Sequence, residues 1–203
     1  MLSIRKKVLS RIYGRGRGWA FSSKDFVEQF SRNDVDKALS LLNQQGTIRR
    51  VFRGIYDYPR YSKLLKQTLS PDIDQIAQAI SRKLNWQILP SGETALNILG
   101  ISKQIPAKYI YLTNGANNQY QIGNIRIEFK KTSLKDVGFK FRESGLIVQG
   151  LKALGKANVN KKIINTIQDK IDKKKHRHIL TDTRWVTGWI YDYIKDICSE
   201  STQ

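Results

Sequence analysis

The chain has 203 residues, with 36 lysines and arginines against 17 acidic residues, and its net charge at neutral pH is +19. Hydrophobic residues make up 40% of the sequence, which is enough to bury the core of one large or two small domains. The single cysteine excludes an internal disulfide and a cysteine-based zinc site. This cysteine usage fits a reducing cytoplasm, so we expect a cytoplasmic protein. No apolar run reaches the roughly 20 residues that span a bilayer, so we expect no membrane segment.

So strong a positive charge favours a polyanionic partner, with an anionic membrane surface or an acidic protein as alternatives. Residues 1–60 are the most basic part per residue, with 13 lysines and arginines against five acidic residues. An arginine-rich start without acidic residues is also typical of an organellar transit peptide. Ile4, Val8, Leu9 and Ile12 favour a folded helix instead, because they share one apolar face.

Residues 1–60 predict a winged helix-turn-helix domain. Ser22 or Ser23 can cap a helix that carries Phe26, Val27 and Phe30, and Ser31 can cap the helix after the turn. The turn residues Arg53-Gly54 separate two runs rich in β-branched and aromatic residues, which indicates a hairpin with a basic tip. The other expected elements are a first helix at 3–13, a glycine- and arginine-rich loop at 14–18, a strand at 19–21, the helix after the turn at 32–45, and hairpin strands at 48–52 and 55–58.

The helix after the turn is the one that enters the major groove of DNA in a helix-turn-helix. Its apolar residues recur at helical spacing, which leaves Arg32, Asn33 and Lys37 on other faces. Arginine can pair with guanine and asparagine with adenine, whereas Lys37 is better suited to a phosphate. The arginines of the hairpin suit the concentrated negative potential of the minor groove. The candidate DNA-binding residues are Arg15, Arg17, Arg32, Asn33, Lys37, Arg49, Arg50 and Arg53.

One of the three hairpin arginines is expected to be structural. Strand alternation puts Arg50 on the same side as Ile48 and Phe52, so Arg50 is the first that we expect to turn inward, unless a bulge intervenes.

After a linker at 61–70, residues 71–203 predict a second domain with α/β structure, a small antiparallel sheet and C-terminal helices. The fold class is therefore α+β. A helix begins after Ser70-Pro71-Asp72, and the sheet includes a meander of strands at 109–113, 119–122 and 125–131. The last helices are expected at 146–154, 160–171 and 183–197. The last of them would carry a row of Trp185, Trp189 and Tyr193, which is typical of core or partner packing.

Catalysis has little support in the sequence. Asp72 and Asp74 could hold Mg²⁺ for nucleotidyl transfer, but acidic residues at a helix start are typical caps. The basic run at 173–178 contains both histidines, has no cysteine or carboxylate within it, and indicates a solvated helix end or a patch for nucleic acid or an acidic partner. We therefore expect no enzyme activity, no catalytic residue, no metal and no cofactor.

The run Leu42 to Pro59, LNQQGTIRRVFRGIYDYP, resembles the winged-helix end of AbiEi-type antitoxins of bacterial type IV toxin–antitoxin (abortive infection) systems. Pro90 to Gly100, PSGETALNILG, is similar to the start of the second domain of that family. The resemblance extends loosely over residues 1–150, and the last third of the chain matches no motif of the family.

The resemblance implies a transcriptional repressor that binds operator DNA and counteracts a nucleotidyltransferase-like toxin, without requiring a stable toxin complex. It implies DNA contacts for Arg49, Arg53 and Arg50, a tight turn at Gly54, and structural roles for Tyr56 and Pro59. Two alternatives remain: a nucleic-acid-modifying, nucleotidyltransferase-like enzyme that a winged helix targets, with Asp72 and Asp74 at its centre, and an interaction module whose basic helices dock an acidic protein.

Overall fold

The computed structural model describes residues 3–133 and 137–199 and divides the chain into two compact units, Met1–Trp86 and Gln87–Gln203. The expected mixture of helices and small antiparallel sheets, with helices at the C-terminus, is confirmed. The division lies between Trp86 and Gln87, whereas the sequence suggested a change of domain at 61–70. The outer ends of the two predicted domains, residues 1–2 and 200–203, lie outside the described residues.

The first unit contains three α-helices, each with a polar residue at its start. Ser3, Ser31 and Asp72 each accept a hydrogen bond from a backbone N–H of the first turn, which satisfies one of the donors that a helix leaves free there. The helices are α1 (Ile4–Arg15), α2 (Arg32–Gln44) and α3 (Ile73–Leu84).

Two antiparallel sheets complete the first unit. Strands β1 (Ala20–Phe21), β2 (Arg49–Phe52) and β3 (Ile55–Asp57) form a sheet in the order β1-β3-β2. Strands β4 (Tyr61–Ser62) and β5 (Gln67–Thr68) form a separate hairpin in the segment that was predicted as a plain linker. The core is formed by apolar side chains of α1, β1, α2 and the segments between them: Val8, Ile12, Phe21, Phe26, Val35, Ala38, Leu39, Leu42 and Ile48.

The segment of Phe26, Val27 and Phe30 is not the α-helix that its apolar spacing predicts. A short 3₁₀ helix (Ser23–Asp25) is followed by turns. Asp25 accepts a hydrogen bond from the backbone N–H of Ser22, and Phe26 is fully buried and packs edge-on against Phe21. So short a segment gains little from helix propagation, and these core contacts determine its conformation instead.

Helix α3 belongs to the first unit because it packs on β1, β3 and the 3₁₀ helix. Arg82 near its end donates to the Asp25 carboxylate at 2.6 Å and to the Ala20 carbonyl at 2.7 Å. Only 8% of the Asp25 side chain is exposed, so this pair neutralises a charge that would otherwise be buried without a partner. Local sequence patterns do not reveal this contact, because the two residues lie 57 positions apart.

In the second unit, a four-stranded sheet lies beside helices. Its strands are β6 (Ile88–Ser91), β7 (Lys108–Thr113), β8 (Asn118–Ile122) and β9 (Ile125–Lys131), in the order β6-β7-β9-β8. The expected meander is wrong in one respect, because β7 pairs with β9 and the two are parallel. Ile127 and Phe129 of β9 are buried, while most residues of β8 are polar and exposed. The apolar strand therefore takes the interior position and the polar strand takes the edge.

The helices of the second unit surround a core of leucine, isoleucine and valine side chains. Those whose bounds lie within the described residues are α4 (Glu93–Ile98), α5 (Arg142–Leu154), α6 (Lys161–Lys170), α7 (His176–Asp182) and α8 (Gly188–Cys198), with 3₁₀ helices at Lys156–Asn158 and Lys173–Lys175. Among the described residues, no helix has the length and the apolar character that a bilayer crossing requires.

Two expectations for the C-terminal region are corrected. The basic run at 173–178 does not end a helix; it contains a 3₁₀ helix and the start of α7. The last helix begins at Gly188, so Trp185 lies before it and does not share a helical row with Trp189 and Tyr193. Gly155 ends α5. Thr183 ends α7, and its hydroxyl donates to the Ile179 carbonyl. The residues between α7 and α8 form a turn.

Candidate nucleic-acid interface

Helix α2 has one apolar face and one polar face. Val35, Ala38, Leu39 and Leu42 are buried in the core of the first unit. Arg32, Asn33 and Lys37, the three residues proposed for base and phosphate contacts, are all exposed. The core therefore fixes the helix from one side and leaves these residues in solvent on the other.

Charges on the exposed face of α2 are weakly paired. Arg32 lies 3.8 Å from the Asp36 carboxylate, and 78% and 55% of the two side chains are exposed. An ion pair this exposed contributes at most about 1 kcal/mol, so water or a phosphate can replace either partner at little cost. Asp34 has a different role, since its carboxylate accepts from the Ser31 hydroxyl at the start of the helix.

The structural arginine of the β2–β3 hairpin is Arg49, whereas Arg50 was the one expected to turn inward. Arg49 pairs across the strands with Asp57 through two hydrogen bonds, at 2.9 and 2.6 Å, and also donates to the Leu69 carbonyl at 3.1 Å. The Asp57 side chain is only 3% exposed. The guanidinium of Arg49 is therefore committed to the fold, and a DNA contact by Arg49 would have to compete with this pair.

Arg50 and Arg53 keep their side chains in solvent. The pairing register shifts between Arg50 and Phe52, so the simple alternation that sent Arg50 inward does not hold. The backbone N–H of Arg50 donates to the Asn43 side chain at 2.9 Å, which ties this strand to the end of α2. Arg53 lies in the turn, followed by Gly54 with a φ of +78°.

A lysine that the sequence did not suggest lies beside this turn. A Cβ built on Gly54 would lie 2.7 Å from the ammonium nitrogen of Lys83, which places that cation against the hairpin tip. Lys83 was missed because α3 was assigned to another domain. Glycine is favoured at position 54 by its positive φ, whereas the flexible end of the Lys83 side chain could move away from a larger residue.

Two arginines at and just after the end of α1, Arg15 and Arg17, lie against aromatic rings. The Arg17 guanidinium lies 4.6 Å from the centre of the Tyr58 ring and donates to the Pro59 carbonyl at 2.8 Å. Arg15 lies 5.7 Å from the centre of the Trp19 ring. Both residues remain exposed, so their charge still acts on the surroundings while stacking restrains their positions.

The acidic pair at the start of α3 is part of the helix cap. Asp72 accepts from the backbone N–H of Gln75 at 3.1 Å, and its carboxylate lies 3.6 Å from Arg60. In residues 3–133 and 137–199, no group of three or more His, Cys, Asp or Glu side chains is arranged to hold a metal ion. The geometry at Asp72 is therefore accounted for by capping and by the neighbouring cation.

The cations of the first unit outnumber its acidic side chains, and most of those acidic side chains already have a partner within the unit. The unit has 17 lysines and arginines against seven acidic residues, a net charge of +10. Asp25, Asp57 and Asp72 each face an arginine. Within the described part of the chain, Lys37, Arg50 and Arg53 form no salt bridge. Each of these three exposed cations is therefore available to a polyanion.

Three comparisons with known proteins add a family and one distant likeness. A family model described as a family of unknown function, DUF6088, matches residues 7–179. No curated protein matches the chain. Among solved structures, the crystal structure of the RV2827C protein from Mycobacterium tuberculosis is similar, with a TM-score of 0.41 and 10% sequence identity, over 95% of this chain and 75% of that chain.

The contrast between Arg49 and Arg50 gives a stability prediction. We expect Arg49→Ala to lower the free energy of unfolding by about 2–3 kcal/mol, since it leaves the Asp57 carboxylate buried without its partner. Arg50→Ala, one residue away, should change it by less than about 0.5 kcal/mol, because only its backbone N–H is bonded. Urea unfolding followed by tryptophan fluorescence measures both, and equal destabilisation by the two substitutions would contradict the structural role of Arg49.

Proposed function

We propose that this chain, which belongs to the DUF6088 family, regulates transcription by binding duplex DNA through its first unit. In this proposal α2 enters the major groove, and the β2–β3 hairpin acts as a wing against the neighbouring backbone or minor groove. The observation that carries the proposal is the two-faced character of α2, which buries four apolar residues and exposes Arg32, Asn33 and Lys37.

The order of elements supports a winged-helix arrangement. The chain runs from α1 through β1 and the 3₁₀ helix to α2, and then directly into β2 and β3. The short strand β1 pairs with β3, so the hairpin is part of a three-stranded sheet, and α2 directly precedes the first strand of the hairpin. In a winged helix, a groove-binding helix is likewise followed by a hairpin that can contact the same duplex.

The dimensions of α2 fit the groove. Its 13 residues span about 20 Å at 1.5 Å per residue, and a major groove about 12 Å wide admits a single helix. Arg32 and Asn33 lie in the first turn, which is the part of a recognition helix that reaches base edges. Lys37 lies one turn further on, at a suitable distance for a phosphate.

A short 3₁₀ helix stands where a helix-turn-helix usually has its first helix. The proposal assigns its supporting role to α1 and to Phe26, both of which pack against α2 in the core of the first unit. Support of this kind needs a rigid apolar contact rather than a particular helix length, so α2 can be held at the surface without a full first helix.

The resemblance to AbiEi-type antitoxins gives the proposal its biological setting. The first unit would repress its own operon, and the second would counteract a nucleotidyltransferase-like toxin without a stable complex. The protein itself would then act without catalysis and without a cofactor. The similarity at Leu42 to Pro59 supports the repressor role, and that at Pro90 to Gly100 supports the role of the second unit.

For the wing, we expect Arg53→Ala to weaken binding to operator and unrelated duplexes alike, because a phosphate contact carries no sequence information. The slope of log affinity against log salt should fall by about 0.9 for each lost phosphate contact. Fluorescence anisotropy with the DNA upstream of the gene measures both quantities. Lys103→Ala removes an equally exposed charge from the second unit and should leave both unchanged. If Arg53→Ala and the unaltered protein bound DNA with equal affinity, the assignment of the β2–β3 hairpin as a DNA-contacting wing would be wrong.

For the helix, we expect Asn33→Ala to reduce discrimination at one base pair by about 1–3 kcal/mol while nonspecific affinity stays the same. Binding to a library of operator variants, each with one altered base pair, identifies that position. Gln44→Ala, at the exposed far end of α2, is the matched control and should keep the full preference. If Asn33→Ala kept the same preference at every position, the insertion of α2 into the major groove would be excluded.

The antitoxin role predicts rescue of growth. It first requires that a nucleotidyltransferase-like gene lies beside the gene of this protein. Cells that express that neighbouring gene should stop growing and should recover when this protein is co-expressed. Arg53→Ala should rescue as well as the unaltered protein when its gene is placed under an unrelated promoter, since DNA contact is assigned to repression alone. A neighbouring gene whose expression does not slow growth, or growth arrest that this protein does not relieve, would contradict the antitoxin role without affecting DNA binding.

A further inference from the structure

A second surface suited to an anion lies wholly within the second unit, along α7. A cavity of about 530 Å³ opens there between α7 and the segment that leads into α5. We call it the α7 cleft, and its lining residues are Lys140, Phe141, Arg177, His178, Thr181, Asp182 and Trp185.

Two stacked ring pairs give the α7 cleft its shape. Trp185 stacks on Phe139 with ring centres 4.9 Å apart, and His178 stacks on Phe141 at 5.0 Å. Although one face of its ring is covered by Phe139, Trp185 is 55% exposed. A tryptophan so exposed and yet held by a stacking partner offers a flat, pre-positioned surface to a ligand.

Cations border these rings. Lys140 and Arg177 line the cleft and are exposed, and the exposed Lys173 and Lys174 lie outside the lining, in the 3₁₀ helix that leads into α7. These four residues form no salt bridge among the described residues. Lys175 differs, because it is bonded to Glu143.

Among the described residues that line the cleft, the one carboxylate is held by backbone N–H groups. Asp182 accepts the backbone N–H of Lys140 on one oxygen, at 3.1 Å, and that of Phe141 on the other, at 3.0 Å. These two bonds hold the segment of Lys140 and Phe141 against α7 and satisfy the carboxylate oxygens. Lys140 and Arg177 outnumber this one negative charge among the described residues that line the cleft.

We propose that the α7 cleft binds single-stranded nucleic acid, with a base stacked on the free face of Trp185 and the adjoining phosphates at Arg177 and Lys140. Aromatic rings with cations at their edges are the combination that binds single strands without sequence preference. A duplex does not fit this role, since its bases are stacked on one another and their faces are covered. An acidic protein would use the cations but would gain nothing from the free face of the tryptophan.

The test measures binding of a twelve-nucleotide oligothymidine to the full-length protein by anisotropy and by quenching of tryptophan emission. Trp185→Ala should weaken binding by about tenfold or more. Tyr61→Ala is the matched control, because that aromatic residue lies in the first unit and is exposed to a similar extent, 54%. Its affinity for the oligonucleotide should equal that of the unaltered protein.

Two further variants keep the result interpretable if Trp185→Ala disturbs the fold. Trp185→Phe retains a ring against Phe139 and should abolish most of the quenching, since Trp185 would be the tryptophan in contact with the base. Lys140→Glu with Arg177→Glu leaves both ring pairs intact and should abolish binding of the oligonucleotide. Unchanged affinity in this double variant, or unchanged quenching in Trp185→Phe, would overturn the proposal.

An acidic ligand is distinguished by a twelve-residue oligoglutamate peptide. We expect the peptide to compete weakly with the oligonucleotide, and Trp185→Ala should leave the affinity for the peptide unchanged. If the peptide bound with Trp185-dependent affinity while the oligonucleotide did not bind, the cleft would be a protein-docking site and the proposal would be wrong.

The cleft proposal and the duplex proposal can fail separately. Arg53→Ala should leave quenching by the oligonucleotide unchanged, since Arg53 lies in the other unit. Quenching lost in Arg53→Ala to the same extent as in Trp185→Phe would assign single-strand binding to the first unit and overturn the cleft proposal alone.

Discussion

The buried carboxylate of Asp57 determines what the β2–β3 hairpin can do. It is 2% exposed, and the cation that compensates it is Arg49, directly across the strands. An unpaired charge at this depth would cost several kcal/mol, so the guanidinium cannot leave without loss of stability. Arg49 also donates to the Leu69 carbonyl, and the pair thereby anchors the segment that follows the sheet. Because Arg49 is committed to this pair, Arg50 and Arg53 are the hairpin arginines whose charges face solvent.

This arrangement separates a rigid framework from a charged surface. Apolar side chains of α1, β1 and α2 and buried ion pairs hold the first unit together, while its excess of ten positive charges lies mainly outside these pairs. Surface cations repel one another, and a phosphate backbone relieves that repulsion. The α7 cleft in the second unit follows the same pattern on a smaller scale, since its one acidic residue is held by backbone N–H groups and its cations remain outside.

The elements governed by local spacing could be predicted from sequence. The buried face of α2, the cap at Ser31, the turn at Gly54 and the strand Ile125–Lys131 all follow from nearby residues. Long-range pairing could not be predicted in the same way. The contact of Arg82 with Asp25, the parallel pairing of β7 with β9 and the bulge beside Arg50 depend on residues that meet only in the folded chain. Consequently the exposed candidates on α2 were correctly placed in solvent, whereas the structural arginine was misidentified.

Helix α3 has a practical consequence for dissecting the protein. A fragment ending at residue 60 or 70 would strip Arg82 from Asp25 and uncover the apolar residues of β1 that face the helix. It would also remove Lys83 from the hairpin tip. Such a fragment would be prone to aggregate, and weak DNA retention by it would be uninformative. A fragment that keeps these contacts must include α3 as far as Leu84, and the first compact unit as a whole ends at Trp86.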